Sequence, residues 1–182
     1  MTTALVLIDL QNDYFPGGTM ELVGADSAVS QAKRLLDAFR LRSLPIWHIQ
    51  HIAKRAGASF FLPGTAGAEI HASVRPASSE RVVIKHFPNS FRETTLLEDL
   101  RASGISNLVL AGMMTHMCVD TTVRAAADLG FQCSLAHDAC ATRNLQFSGQ
   151  VVDAKSVQLA YLAALNGSFA SIRAAEELCS EP

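Results

Sequence analysis

Short runs of consecutive apolar residues alternate along this chain with longer stretches in which apolar positions recur every three or four residues. Ala4-Leu5-Val6-Leu7-Ile8 is apolar throughout, the pattern of a strand buried on both faces. Residues 45–49, 81–84, 108–111 and 133–136 repeat that pattern, and 169–172 makes a weaker sixth run. From Asp26 onward, Val29, Ala32, Leu35, Leu36 and Phe39 fall at helical spacing, with Asp26 or Ser27 placed as the cap. Thr95–Ser103, Val119–Leu129 and Val151–Leu165 read as further helices, ending at Gly104, Gly130 and Asn166-Gly167. Strands alternating with such helices predict right-handed crossovers and a parallel sheet covered on both faces. The expected fold is α/β: one three-layer α/β/α domain over residues 1–182, with about six mostly parallel strands. The long irregular stretch from Gln50 to Glu80 carries Gly57, Gly64, Gly67, Pro63 and Pro76 and reads as a lid or binding loop.

Composition narrows the function. The 182 residues carry 15 Lys+Arg against 17 Asp+Glu, a net charge of -2, which argues against a nucleic-acid grip. No apolar run approaches the roughly 18 residues of a membrane span. Residues 1–4 lack a basic lead-in and Asp9 interrupts the first apolar run, so a signal peptide is not expected. The four cysteines, Cys118, Cys133, Cys140 and Cys179, include no CxxC pair, as for free thiols in the cytoplasm.

Ligands of open parallel sheets bind at the carboxyl ends of the strands. The predicted strands end in Asp9, in His48 and Gln50, in Lys85, in Thr115, His116 and Cys118, and in Asp138. Singly these are a turn residue, a rim polar group, a solvated charge and a small buried thiol. Together Asp9, Lys85 and Cys118 converge from three strands, with the cysteine opening a helix. A thiol facing unpaired helix N–H groups and an ammonium is expected to ionise more readily than the ordinary cysteine. Asp9 can then carry the proton between thiol and leaving group, and the same backbone amides can hold an oxyanion.

The order of five segments resembles the isochorismatase-like cysteine hydrolases, the superfamily of the nicotinamidases and N-carbamoylsarcosine amidases. They are Leu5-Val-Leu-Ile-Asp-Leu-Gln-Asn-Asp-Tyr-Phe15 followed by Pro16-Gly-Gly-Thr-Met20, Gly64-Thr-Ala-Gly-Ala-Glu-Ile70, and Val83-Ile-Lys-His-Phe-Pro-Asn-Ser-Phe91. After these come Leu110-Ala-Gly-Met-Met-Thr-His-Met-Cys-Val-Asp-Thr-Thr-Val-Arg124 and Asp138-Ala139. The resemblance runs from about residue 5 to 172. It implies an Asp9-Lys85-Cys118 triad: Asp9 as general base and acid, Lys85 as stabiliser of the thiolate and transition state, Cys118 as nucleophile. It also implies a cis Met113–Met114 peptide and an oxyanion hole made by the Met114 and Cys118 N–H groups.

Nicotinamidases place a metal-binding Asp-x-His at the end of the second strand, where this chain reads His48-Ile49-Gln50-His51. With Gln50 a poor ligand, no metal and no cofactor are expected, and His48 with His51 makes only a weak Zn pair. The leading expectation is hydrolysis of a small amide-type substrate through a thioester. The alternatives are vinyl ether cleavage with Asp9 as acid, a non-catalytic binding protein on the same fold, and a redox thiol protein, the weakest because Cys118 lacks a nearby resolving cysteine. Phe15, Phe61, Gln50 and His116 are the expected substrate contacts, with Phe60, Phe87 and Tyr14 near the same rim. No cluster of arginines marks a polyanionic substrate, and Arg92 and Arg124 read as solvated or paired. Apolar helices beyond what one covered face needs point to a homo-oligomer, a dimer or tetramer.

Overall fold

A computed structural model describes residues 2–180. Six strands form one sheet in the order β3-β2-β1-β4-β5-β8, every neighbouring pair parallel. The strands are β1 (Thr2–Ile8), β2 (Ile46–His51), β3 (Arg81–Lys85), β4 (Ile105–Met113), β5 (Gln132–Ala141) and β8 (Ser171–Arg173). Helices α1 (Ala25–Leu41) and α5 (Ala175–Cys179) cover one face. There Leu5, Leu7, Leu35, Leu36, Phe39 and Leu178 pack together. Helices α2 (Leu96–Ala102), α3 (Asp120–Asp128) and α4 (Ala154–Leu165) cover the other, against Val6, Ile8, Leu100, Val123 and Leu165. Successive β1 side chains serve opposite cores, which is why the run is apolar without alternation. The expected three-layer α/β/α architecture is present.

Three local expectations fail. The first helix begins at Ala25 with Gly24 as its N-cap in the left-handed region, so neither Asp26 nor Ser27 caps it. Val151 and Val152 are not helical: β6 (Leu145–Phe147) and β7 (Gln150–Val152) form an antiparallel hairpin. Asp153 then caps α4 by accepting a hydrogen bond from the Ser156 N–H at 3.0 Å. Asp138 lies inside β5, not after it, at a break in the β4–β5 register. Its Oδ1 accepts the Ala175 N–H at 2.8 Å, and so serves the start of α5.

The chain turns in both directions from the middle of the sheet: β2 and β3 lie to one side of β1, β4 and β5 to the other. That reversal opens a crevice at the carboxyl ends of β1 and β4. Gly112, near the end of β4, lets the two strands approach. Its φ is 140° and a Cβ there would sit 2.0 Å from the Ile8 carbonyl oxygen, so no side chain fits. Among the described residues no helix is long and apolar enough to cross a membrane.

Candidate active site

Asp9 ends β1 with φ 52°, in the left-handed region that aspartate tolerates better than most residues. Its N–H still joins the sheet, donating to the Ile49 carbonyl at 3.0 Å, so the carboxylate is held at the strand tip. Lys85 closes β3 and reaches past the end of β2 to meet it. Lys85 Nζ lies 2.9 Å from Asp9 Oδ2, both side chains being 0% exposed. The ammonium also donates to the Pro88 carbonyl at 2.9 Å. Cys118 sits in a wide helical turn, Thr115–Val119, leading directly into α3. That turn is anchored by Thr115 Oγ1, which donates to Gln158 Oε1 on α4 at 2.6 Å. The Met113–Met114 peptide before it is cis. A second tie joins the loop after Lys85 to α3: Ser90 N–H donates to Thr122 Oγ1 at 3.1 Å.

Asp9, Lys85 and Cys118 thus meet as the sequence indicates. A carboxylate oxygen of Asp9, a ring nitrogen of His51 and Cys118 Sγ lie within 4.8 Å of one another. The electrostatics differ from expectation in one respect. Burial, reinforced by the Asp9 charge, pushes the Cys118 thiol well above its ordinary range, with Lys85 opposing. Burial favours the neutral thiol over the helix-start effect, and Lys85 is already committed to Asp9. Burial alone would lower Lys85, but Asp9 and Cys118 outweigh it and hold it above its usual value. Lys85 therefore rests as an ammonium and Cys118 as a neutral thiol. His51 Nδ1 stands 3.8 Å from Asp9 Oδ2, and burial keeps that ring below the ordinary imidazole pKa.

A cavity of about 640 Å³ opens beside this trio, within the range of small-molecule sites. Phe60, Phe61, Phe87, Met114 and His116 are in its wall. Two of the four expected substrate contacts, Phe61 and His116, therefore line it. His116 is fixed by a 2.6 Å hydrogen bond between Nδ1 and Thr142 Oγ1. The other two do not reach it. Phe15 stacks on His71 at 4.0 Å between ring centres. Gln50 turns aside, its amide donating to the Ala68 carbonyl at 2.8 Å. Tyr14 is buried against Phe61 at 4.6 Å.

The loop from 50 to 80 is fastened over the site by the residues that follow Asp9. Gln11 donates to the His51 and Ala68 carbonyls at 2.9 and 2.7 Å and accepts the His51 N–H at 2.7 Å. Asp13, which sequence reasoning passed over, accepts the Phe61 N–H at 2.6 Å and the Thr19 hydroxyl at 2.8 Å. A Cβ at Gly67 would lie 2.1 Å from that carboxylate. The Gln-Asn-Asp and Gly-x-x-Gly signatures are thus two sides of one joint. No local pattern links them, since 54 positions separate Asp13 from Gly67.

One more feature escaped the sequence. Lys54, Arg55 and Arg143 come together at the cavity, although 88 positions separate Arg55 from Arg143. His48 and His51 cannot share an ion. His48 Nε2 donates to Glu80 Oε2 at 2.8 Å, and strand alternation sends side chains three apart to opposite faces. With Gln50 spent on Ala68, the nicotinamidase-type metal set does not fit here. Asp9, His51 and Cys118 could supply three donors, but Lys85 already stands where a cation would neutralise Asp9.

The sequence model for the isochorismatase domain matches residues 3–166. An uncharacterized isochorismatase family protein of Bacillus subtilis is 48% identical over 176 residues, covering 97% of this chain and 98% of that protein. A crystal structure from Oleispira antarctica is 48% identical, with a TM-score of 0.95 over 99% of this chain and 97% of the other. N-carbamoylsarcosine amidase from Thermoplasma acidophilum is 25% identical, with a TM-score of 0.82 over 97% and 98%. The chain belongs to the isochorismatase family of hydrolases.

Proposed function

We propose that the protein hydrolyses a small amide-type substrate through a thioester on Cys118. The observation that carries this reading is the buried convergence of Asp9, Lys85 and Cys118 beside the cavity, with Lys85 Nζ 2.9 Å from Asp9. A buried neutral thiol next to a buried carboxylate suits proton transfer coupled to attack.

In the acylation step Cys118 Sγ bonds to the substrate carbonyl carbon while Asp9 takes the thiol proton. The carbonyl electron pair moves onto oxygen, which the Met114 and Cys118 N–H groups stabilise. When the C–N bond breaks, Asp9 gives that proton to the departing nitrogen. Water then adds to the thioester, Asp9 accepts its proton, and the sulfur leaves and regains it. The balance is amide plus water to acid plus amine. Lys85 remains protonated throughout and offsets the negative charge that passes between Asp9 and sulfur. The name of the amidase relative supports an amide over a vinyl ether.

A panel of small carboxamides, ureas and carbamoyl compounds tests the reading, with wild type beside Cys118→Ala and Cys118→Ser. Turnover is expected to fall on the order of 10³-fold or more in both variants while the fold survives. Alanine-variant rates equal to wild type would overturn it.

A further inference from the structure

We propose that Arg143 anchors a carboxylate of the substrate, so that the compound hydrolysed is a small anionic amide with an apolar or aromatic body. The inference rests on the hydrolase reading above and adds the substrate class.

The charges around the cavity are uneven. Lys54, Arg55 and Arg143 face it, and Glu93 is the carboxylate among the residues that line it. Glu93 has its own cation, Arg92, at 3.8 Å, and the Arg92 guanidinium lies 3.8 Å over the Phe87 ring. Among the described residues no carboxylate lies within ion-pair distance of Lys54, Arg55 or Arg143. A chain with a net charge of -2 thus keeps three cations without a carboxylate partner among the described residues at this apolar-walled cavity, an arrangement that draws anions.

Arg143 is the best placed of the three. Lys54 and Arg55 belong to the irregular segment after β2, near Gly57. Arg143 follows Thr142, which is buried and held on two sides. The Thr142 carbonyl accepts the Val23 N–H at 2.9 Å, and its hydroxyl is bonded to His116. Among the described residues the Arg143 side chain makes one hydrogen bond, a 3.5 Å contact with the Asn144 carbonyl, leaving the guanidinium fork for a ligand. A guanidinium matches a carboxylate with two parallel N–H···O bonds. His116 and Met114 line the same cavity as Arg143, and Phe60, Phe61 and Phe87 supply the walls for the substrate body.

The test uses matched pairs at constant ionic strength: 4-carbamoylbenzoate against 4-methylbenzamide, and glutaramate against butanamide. Wild type is expected to favour the carboxylate member on the order of tenfold or more in kcat/KM. Arg143→Met should erase the preference, Arg143→Lys should keep part of it, and Arg101→Gln on α2 should leave it intact. A second readout needs no turnover: 4-methylbenzoate should slow iodoacetamide alkylation of Cys118 saturably, with half-saturation raised on the order of tenfold in Arg143→Met. Protection without any amide turnover would sink the hydrolase reading and leave the carboxylate site standing. Equal handling of both members by wild type, or full preference retained in Arg143→Met, would overturn the proposal.

Discussion

Lys85 and Asp9 form a fully buried ion pair at 2.9 Å, although 76 positions separate them and β2 lies between their strands. Breaking such a pair from one side leaves a charge with neither water nor partner. Lys85→Met is expected to destabilise the fold by about 3–5 kcal/mol. Adding Asp9→Asn should return part of that loss, because the orphaned carboxylate is gone. Urea unfolding of the two single variants and the double variant measures the coupling. Strictly additive losses would contradict the pairing.

Asp9 also raises the Cys118 thiol. Removing its charge leaves Lys85 facing the sulfur, so Asp9→Asn should shift the alkylation midpoint of Cys118 to lower pH than in wild type. Hydrolysis should fall in the same variant, on the order of 10²–10⁴-fold, because the proton carrier is missing. A more reactive but inactive cysteine is the expected signature. It is read by peptide-mapped iodoacetamide kinetics across pH, and an unchanged or higher midpoint would refute it.

Gly112 sets the approach of β4 to β1. Gly112→Ala places a methyl carbon 2.0 Å from the Ile8 oxygen at a φ of 140°. A loss of about 2–5 kcal/mol is expected from overpacking and backbone strain together. Thermal unfolding tests it, and a melting temperature equal to wild type would show that the strands can separate there without cost.

Glu80 ties the far end of the long loop to the body of the protein. It receives Arg40 Nε at 2.7 Å, the Ala77 N–H at 2.9 Å and His48 Nε2 at 2.8 Å. Burial would raise its carboxyl, but these bonds prevail and hold it at about 2, against an ordinary 4.5. A folded pKa below the unfolded one gives stability that is complete above about 4.5 and is lost as pH falls toward 2. Glu80→Gln should cost about 2 kcal/mol at neutral pH. It should also flatten the decline between pH 5 and 3, measured by denaturant unfolding at each pH.

The sheet was readable because its central strands are buried on both faces and so are apolar throughout, as residues 4–8 and 108–111 are. Asp9, Lys85 and Cys118 were readable because each stands at the end of such a run. The hairpin at 145–152 was not, since Val151 and Val152 fit a helical pattern as well as a strand. Phe15 and Gln50 lie next to the right strand ends, yet neighbours in the turn capture their side chains. The cations at the cavity depend on contacts across the fold, which no local pattern encodes. The sign of the Cys118 shift depends on burial, and helix position alone says nothing about that.

The central claim is the covalent one, and mass spectrometry of the quenched enzyme tests it most directly. Mixing the protein with a turned-over carboxamide and quenching in acid within the first turnover should leave one acyl group per chain. After digestion the group should map to the peptide containing Cys118, and it should be absent from Cys118→Ala. Steady turnover by wild type with no adduct on Cys118, together with an alanine variant that keeps its rate, would contradict the thioester mechanism.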